Sequence, residues 1–210
     1  MIALVASAFA GVFLVGKRAA ASGDLIIDDF TYVIQDVDQL VDGNVVITNN
    51  GELKIIDGSL SLVSDFVNRY TVTVGSGGKL TLDHGTLSTY PDQLRPWAEL
   101  DLIVEDGGEV VATNDSAFVF PGSITLDNGA VMTLRDSTIT KLPDALITAF
   151  YLGHPDGVTM DSINDGPTMD VTDSTLKLFD SAIDALPEGA PSASNLTLNG
   201  DSVLLSVNSY

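Results

Sequence analysis

The sequence contains no cysteine and few basic residues, and these absences remove several ways of building and using a protein. Without cysteine, neither disulfides nor cysteine-based zinc sites can hold the fold together. Only 9 Lys and Arg residues stand against 29 Asp and Glu residues, which gives a formal net charge of -20. Nucleic acid is therefore not expected as a partner, because binding to phosphates needs clustered Lys and Arg.

Glutamate is also scarce, since 24 of the acidic residues are Asp and 5 are Glu. A helical protein favours Glu, whereas Asp competes with its own backbone and prefers turns and caps. The acidic composition therefore predicts many turns and few helices. The chain has 210 residues, 45% of them hydrophobic, which is enough for one domain with a continuous core.

The N-terminal residues 1–15 are almost all apolar. A run of this length is short for a membrane span, which needs about 20 residues, and Ala19, Ala20 and Ala21 provide small residues for signal cleavage. Lys17 and Arg18 follow the apolar run instead of preceding it, so an uncleaved anchor or a buried core helix stays open. We expect residues 1–23 to be a signal peptide or membrane anchor with a short apolar helix. Residues 24–210 are then a secreted or cell-surface domain that meets a membrane only through this segment.

Six segments of the remaining chain align when each is anchored on a Ser or Thr that follows Asp or Gly. The anchors are Ser59, Thr86, Ser116, Ser137, Ser174 and Ser202. Five of the six segments have a glycine eight residues before the anchor, namely Gly51, Gly78, Gly108, Gly129 and Gly166. Pairs such as Asn50-Gly51 supply the positive φ angles of tight turns. A turn that recurs at a fixed offset indicates a structural repeat.

Apolar residues alternate with polar ones between these landmarks, as in Leu53-Lys54-Ile55 and Leu80-Thr81-Leu82. A period of two predicts β-strands with one buried face. The repeat unit is strand, turn, strand, corner and strand, which needs about 20 residues and fits one coil of a three-sided solenoid. We therefore predict an all-β, single-stranded parallel β-helix (β-solenoid) of about six three-strand coils. Hairpins packed as a β-sandwich are the alternative.

The segments VTVGSGGKLTLDHGTL, ITLDNGAVMTLRDSTI and LTLNGDSVLL resemble repeats of right-handed parallel β-helix proteins. The resemblance is to large secreted or cell-surface proteins of archaea and bacteria, and it covers about residues 40–210. It implies a scaffold and carries no catalytic signature. The repeat pattern runs to residue 210 without a visible polar cap, which predicts that the solenoid continues beyond that residue in the full-length protein.

Insertions interrupt the repeat after the third strand of a coil, at residues 64–70, 88–99, 141–157 and 180–193. Insertions at one corner of stacked coils project from one edge of the rod, which is a common binding surface of solenoids. The candidate binding residues on this edge are Tyr90, Trp97, Phe150, Tyr151 and His154. Aromatic rings stack on sugars, so we expect a glycan or another cell-surface polymer as partner; the alternative is that the rings pin the loops to the solenoid.

Aspartates recur at the predicted corners, at Asp57, Asp83, Asp115, Asp136, Asp173 and Asp201. A column of carboxylates is one way to hold Ca²⁺, the one metal that this composition suggests. Turn formation is the competing explanation, because Asp tolerates left-handed backbone, and the sequence has no D-x-D-x-D-G loop. Asn114 and Asn195 each begin an N-x-S/T sequon, which predicts glycosylation if the chain is exported.

These patterns favour a non-catalytic surface scaffold or adhesin-like protein. A polysaccharide lyase or glycoside hydrolase is the enzyme alternative, although carboxyl pairs are too common here to indicate one. His84 and His154 are isolated and form neither a metal motif nor a triad motif. A third alternative is a self-assembling surface layer or filament, because open solenoid ends predict end-to-end self-association.

Overall fold

A computed structural model describes residues 12–14, 18–64, 69–90, 100–120, 122–127, 129–140, 168–172, 175–179, 182–184, 195–199 and 203–207. In chain order its strands are β1 (Val12–Leu14), β2 (Arg18–Ser22), β3 (Leu25–Asp28), β4 (Thr31–Gln35), β5 (Asp38–Asp42), β6 (Val45–Thr48), β7 (Glu52–Ile56), β8 (Ser59–Leu62), β9 (Tyr70–Val74), β10 (Lys79–Asp83), β11 (Thr86–Thr89), β12 (Leu100–Val104), β13 (Glu109–Thr113), β14 (Ala117–Val119), β15 (Ile124–Leu126), β16 (Val131–Arg135), β17 (Thr138–Thr140), β18 (Thr168–Thr172), β19 (Thr175–Phe179), β20 (Ala182–Asp184), β21 (Asn195–Asn199) and β22 (Val203–Val207).

Every third strand belongs to the same sheet, and all the pairs are parallel. Sheet A has eight strands, in the order β1-β4-β7-β10-β13-β16-β19-β22. Sheet B has seven, in the order β2-β5-β8-β11-β14-β17-β20, and sheet C has seven, in the order β3-β6-β9-β12-β15-β18-β21. The chain therefore winds from sheet A to B to C and back to A, which confirms the predicted parallel β-solenoid.

In most strands whose side chains are described, alternate residues point into the rod and stack in columns from coil to coil. In sheet A, Leu53, Leu80, Val110 and Met132 lie at matching register and are fully buried. Equivalent columns in the other two sheets, such as Val72 and Leu102 in sheet C, complete one continuous core. The hydrophobic effect therefore acts along the whole rod, with no disulfide needed.

Glycines at the C-to-A corners meet two separate needs. A Cβ atom on Gly51 or Gly78 would lie 2.3 Å from the carbonyl oxygen of Ile27 or Ile47, one coil earlier, so only glycine fits there. The residue before Gly51, Asn50, has the positive φ angle of 63°. The predicted Asn-Gly turn is therefore present, but the left-handed residue is Asn50, and Gly51 is required by close backbone approach.

The structure has more coils than the predicted six, because the described strands make seven three-strand coils and a further strand, β22. The two coils before Glu52 lack the combined glycine and Ser/Thr landmarks. Residues 1–11 of the predicted apolar helix lie outside the described residues, and Val12–Leu14 form a strand beside β4 instead of a helix. The predicted boundary at residue 23 stays a prediction.

Three predicted alignments are wrong. Ala117, not the anchor Ser116, lies opposite Thr86. Met132, not Val131, lies opposite Val110, which shifts that repeat by one residue. In the last two repeats, β18 and β21 belong to sheet C, and β19 and β22 belong to sheet A. The connections that contain Ser174 and Ser202 therefore run from sheet C to sheet A, whereas Ser59 and Ser137 belong to the A-to-B side. An Asp-Ser pair can turn the chain at either the A-to-B or the C-to-A corner. Only strand pairing shows which of the two corners it occupies.

Candidate functional site

Long connections leave the rod at one of its three corners. Three B-to-C corners are short, Gly23-Asp24, Gly43-Asn44 and residues 120–123, whereas the others comprise residues 63–69, 90–99, 141–167 and 185–194. Each A-to-B corner from β1 to β17 contains two or three residues. Each C-to-A corner contains two to four residues. The prediction that the insertions share one edge is confirmed, although Ala182–Asp184, inside one predicted insertion, is strand β20.

A column of polar side chains lies at the B-to-C corner, one residue before the inward column that contains Val45, Val72 and Leu102. The column contains Asp24, Asn44, Thr71, Asp101 and Ser123. Asn44 donates its backbone N–H to the Asp24 carboxylate over 2.8 Å, and the Asn44 side-chain oxygen accepts the backbone N–H of Thr71 over 3.0 Å. The Ser123 hydroxyl donates to Asp101 over 2.6 Å. These bonds fasten successive coils where the insertions leave, and the column was not predicted from the sequence.

Two tyrosines lie at the same edge. Tyr90 directly follows β11, and its backbone N–H donates to the Leu62 carbonyl over 2.8 Å, which extends the sheet B ladder by one residue. The Tyr90 side chain is 39% exposed, unusual for a large aromatic residue in this molecule. Tyr70 packs against the core and donates its hydroxyl to Asp42 over 2.9 Å. Tyr90 is therefore the described aromatic side chain that is available to a ligand.

The other predicted edge residues, Trp97, Phe150, Tyr151 and His154, lie outside the described residues. Their connections run from a B strand to a C strand, so the strands on either side of them meet at the same edge as Tyr90. Their role in binding stays a prediction.

The acidic corner residues form part of a column at the A-to-B corner. Asp57, Asp115 and Asp136 have φ angles of 50°, 59° and 46°. Asp83 differs, because it is the last residue of β10 and precedes the corner. Asp173 and Asp201 lie outside the described residues, in C-to-A connections, so they do not continue this column.

Left-handed backbone explains the acidic corners without a metal. Asp and Asn adopt positive φ at lower cost than other non-glycine residues, and Asp36, also at this corner, has a φ angle of 55°. The Asp36 N–H donates to the Ile56 carbonyl over 3.0 Å, so the ladder of sheet A continues around the bend. Within the described ranges, no group of three or more His, Asp and Glu side chains is arranged to hold a metal ion. Binding of Ca²⁺ stays a prediction.

His84 takes the left-handed corner position of its coil, with a φ angle of 51°. Its Nδ1 atom lies 2.8 Å from a carboxylate oxygen of Asp57 in the preceding coil. The hydrogen bond to Asp57, together with the negative charges of Asp57, Asp115 and Asp83, raises the pKa of His84 above its ordinary value of 6.5. The carboxylates of this corner therefore favour the protonated form of His84.

The sequon at Asn114 is part of the same corner. Its third residue, Ser116, is buried, and the Ser116 hydroxyl accepts the Gly85 N–H and donates to the Thr113 carbonyl. Asn114 is exposed and donates its side-chain N–H to Asp83 over 2.7 Å. Asn195 is the first residue of β21. Glycosylation at both positions stays a prediction.

No family model, curated protein or solved structure matches the chain. Over the ranges that the structure describes, it has no helix that is long and apolar enough to cross a membrane. The resemblance to secreted β-helix proteins therefore stays an expectation.

Proposed function

We propose that the protein is a non-catalytic scaffold of the cell surface or extracellular space that binds glycan along its B-to-C edge. The observation that carries the proposal is that the long connections all join a B strand to a C strand. A rod with two short corners and one variable corner can change its ligand-binding loops while keeping its core. The apolar residues 1–15 support export.

Chemistry at this edge favours a neutral glycan. The described side chains there include Asp24, Asp42 and Asp101, and Arg69 is the basic residue among them. Carboxylates accept hydrogen bonds from sugar hydroxyls, and the exposed ring of Tyr90 offers a stacking surface. An anionic polymer would meet like charge at this edge and in the whole chain, whose net charge is -20.

Binding of immobilised neutral and acidic polysaccharides to the full chain tests this function. We expect binding to a neutral polymer that weakens at least fivefold in Tyr90→Ala and in Trp97→Ala. The matched control is Val111→Ala, at an outward position of sheet A away from the B-to-C corner, which should bind like the wild type. Equal binding by all four proteins, or none by the wild type, would contradict the proposal.

The same incubations test the enzyme alternative. A non-catalytic scaffold releases no new reducing or unsaturated ends from any polysaccharide in the panel. Time-dependent release of such ends that scales with protein concentration would establish a lyase or hydrolase and refute the non-catalytic part of the proposal. Protein denatured by heat and cooled provides the control.

A further inference from the structure

The outer face of sheet C carries a column of β-branched side chains that runs along the rod. One member lies on each of five successive strands of the sheet, from β3 to β15, at matching register. Ile26 is 57% exposed, and the other members are partly exposed. Strands about 4.8 Å apart make the column about 19 Å long. We call it the C-face strip, and its members are Ile26, Val46, Thr73, Ile103 and Thr125.

Hydrogen-bond acceptors flank the C-face strip on both sides. On its B-to-C side runs the polar column, which includes the carboxylates of Asp24 and Asp101. On its C-to-A side, two residues beyond the strip in the sheet ladder, lie the carboxylates of Asp28, Glu105 and Asp127. The outer face of sheet C is therefore an uncharged strip between two rows of acceptors.

Two carboxylates of the polar column are each held in place through one oxygen. The Asp24 Oδ1 atom accepts the backbone and side-chain N–H groups of Asn44 over 2.8 and 3.1 Å. The Asp101 Oδ1 atom accepts the backbone N–H and the hydroxyl of Ser123 over 3.1 and 2.6 Å. Neither Oδ2 atom has a hydrogen-bond partner among the described residues. These Oδ2 atoms are pre-positioned acceptors, which bind the donors of a ligand at a reduced cost in side-chain entropy.

Charge on this face suits a ligand that donates hydrogen bonds and carries no negative charge. The basic side chains of Lys54, Lys79 and Arg135 project from sheet A instead. Glu52 and Glu109 pair there with the two lysines. An anionic chain on sheet C would therefore meet like charge in both acceptor rows. The same repulsion disfavours a second copy of this chain packed strip against strip.

A neutral sugar chain matches both parts of this face. Each sugar ring has C–H groups on its flat sides and hydroxyl groups around its rim. The C–H groups can contact the methyl groups of the C-face strip, while the hydroxyl groups donate hydrogen bonds to the carboxylate oxygens. An extended peptide is recognised through pockets for its side chains. A column of Ile, Val and Thr, one on each strand, presents a row of methyl groups in place of such pockets.

We propose that the C-face strip binds one chain of a neutral polysaccharide, which lies along the axis of the rod across successive coils. The inference rests on the proposed glycan-binding function and names the surface that holds the chain. The polar column belongs both to this face and to the B-to-C edge, so one ligand can contact both. Because each coil repeats the same contacts, affinity increases with the number of sugars until the chain spans the strip.

Calorimetric titration of the full chain with neutral oligosaccharides of increasing length tests the strip. The probes are oligosaccharides prepared from dextran, a β-glucan, a mannan and a galactan. We expect affinity to rise until the oligosaccharide spans about 19 Å and then to level off. Ile103→Glu should weaken binding of the longer oligosaccharides about tenfold or more, because it places a charge where the strip contacts the ligand. The matched control is Val111→Glu, at an outward position of sheet A, which should bind within about twofold of the wild type.

A milder pair of variants keeps a β-branched side chain at both positions. Ile103→Thr should weaken binding about threefold, because it removes apolar contact area, and Val111→Thr should bind like the wild type. Thermal melts of all four variants establish that they are folded, and the threonine pair decides the test if a glutamate variant is not.

The outcomes separate the strip from the edge. If Tyr90→Ala weakens binding while the Ile103 variants bind like their Val111 controls, the strip inference is wrong and the glycan-binding edge stands. A wild-type chain that binds none of the oligosaccharides refutes both. Tighter binding of a lysine-rich peptide that is lost in added salt would assign the strip to a cationic partner and overturn the proposal. Concentration-dependent dimers that Ile103→Glu abolishes would assign the strip to a second copy and overturn it as well.

Discussion

The A-to-B and B-to-C corners join strands of the same coils, yet they differ in how much the chain can vary. At the A-to-B corner, two or three residues turn the chain, and a left-handed residue such as Asp57 or His84 is followed by a glycine, Gly58 or Gly85. At the B-to-C corner, the connection ranges from Gly43-Asn44 to residues 141–167. The comparison shows that a corner which carries the backbone ladder is restricted in both length and composition.

Hydrogen bonds account for this difference. At the A-to-B corner, the Asp57 N–H donates to the Asp83 carbonyl and the Thr86 N–H donates to the Gly58 carbonyl, so the bend itself pairs with the next coil. At the B-to-C corner, the backbone bonds are those of residues next to the strands, such as the Leu25 N–H to the Asn44 carbonyl, and side chains such as Asn44 and Asp101 add further bonds between coils. Loops can therefore be inserted without breaking a backbone ladder.

The largest effect is expected at the C-to-A corner, which is as restricted as the A-to-B corner. Gly78→Ala places a Cβ atom 2.3 Å from the Ile47 carbonyl oxygen, so two coils must move apart. We expect unfolding free energy to fall by about 3 kcal/mol in urea denaturation. The control is a four-residue Gly-Ser extension within residues 90–99, which should cost about 0.3 kcal/mol. If Gly78→Ala unfolds at the same urea concentration as the wild type, close backbone approach does not restrict this corner to glycine.

A smaller loss is expected when the left-handed residue of an A-to-B corner becomes β-branched. Asp36→Val puts a β-branched side chain at a φ angle of 55°, which costs about 1–2 kcal/mol. Asp36→Asn keeps a residue that tolerates this conformation and should stay within about 0.5 kcal/mol of the wild type. Equal denaturation midpoints for the two variants would show that backbone conformation does not restrict this corner.

A gain in stability is expected where β11 enters the B-to-C corner. The Thr89 hydroxyl is buried and has no hydrogen-bond partner among the residues that the structure describes. Thr89→Val keeps the shape and removes the unsatisfied group, so we expect about 1 kcal/mol more stability by denaturation. Ser116→Ala is the opposite case, because the Ser116 hydroxyl makes two hydrogen bonds, and it should lose about 1 kcal/mol. A destabilised Thr89→Val protein would mean that the hydroxyl has a role which its surroundings do not show.

The smallest effect concerns His84, which is exposed to solvent. Its raised pKa means that its pairing with Asp57 stabilises the fold fully below the unfolded-state pKa of about 6.5 and less as pH rises through the folded value. His84→Asn retains a residue that accepts positive φ. Thermal melts should show the wild type above this variant near pH 5.5 and the two converging by about pH 9. A difference in melting temperature between the two proteins that grows as pH rises would contradict the prediction.

The middle of the rod could be predicted from sequence because turn chemistry and alternation agree there. Between Gly51 and Thr140, turn glycines stand at a fixed offset of eight residues before each Ser or Thr anchor, with alternating apolar residues between the two. Earlier coils escape detection because Asp29-Phe30 and Asp36-Val37 turn the chain without glycine, serine or threonine. The last repeats were assigned to the wrong sheets because an Asp-Ser pair has the same local preference at both tight corners. Only the pairing between strands that are far apart in sequence shows which corner an Asp-Ser pair occupies.

The candidate site was predicted in its position but not in its chemistry. The insertions could be placed at one edge because they interrupt the repeat after the same strand of the coil, while the strands on either side keep the repeat pattern. The polar column of Asn44, Thr71 and Asp101 was missed, although its signal is a polar residue directly before the apolar Val45, Val72 and Leu102. The corner Asp residues suggested metal ligands because a carboxylate looks the same in sequence whether it binds an ion or supports a left-handed turn.

Parallel stacking of coils also determines how the molecule responds to force. Each described strand pairs only with strands of adjacent coils, and side-chain bonds between coils join residues 20 to 31 positions apart. A pull on the two chain ends therefore peels off the outermost coil before it loads the next. Each detached coil of some 20 to 30 residues lengthens the tether by roughly 70–100 Å. A surface protein built this way would yield in steps, dissipating load at its ends while the central coils keep their shape.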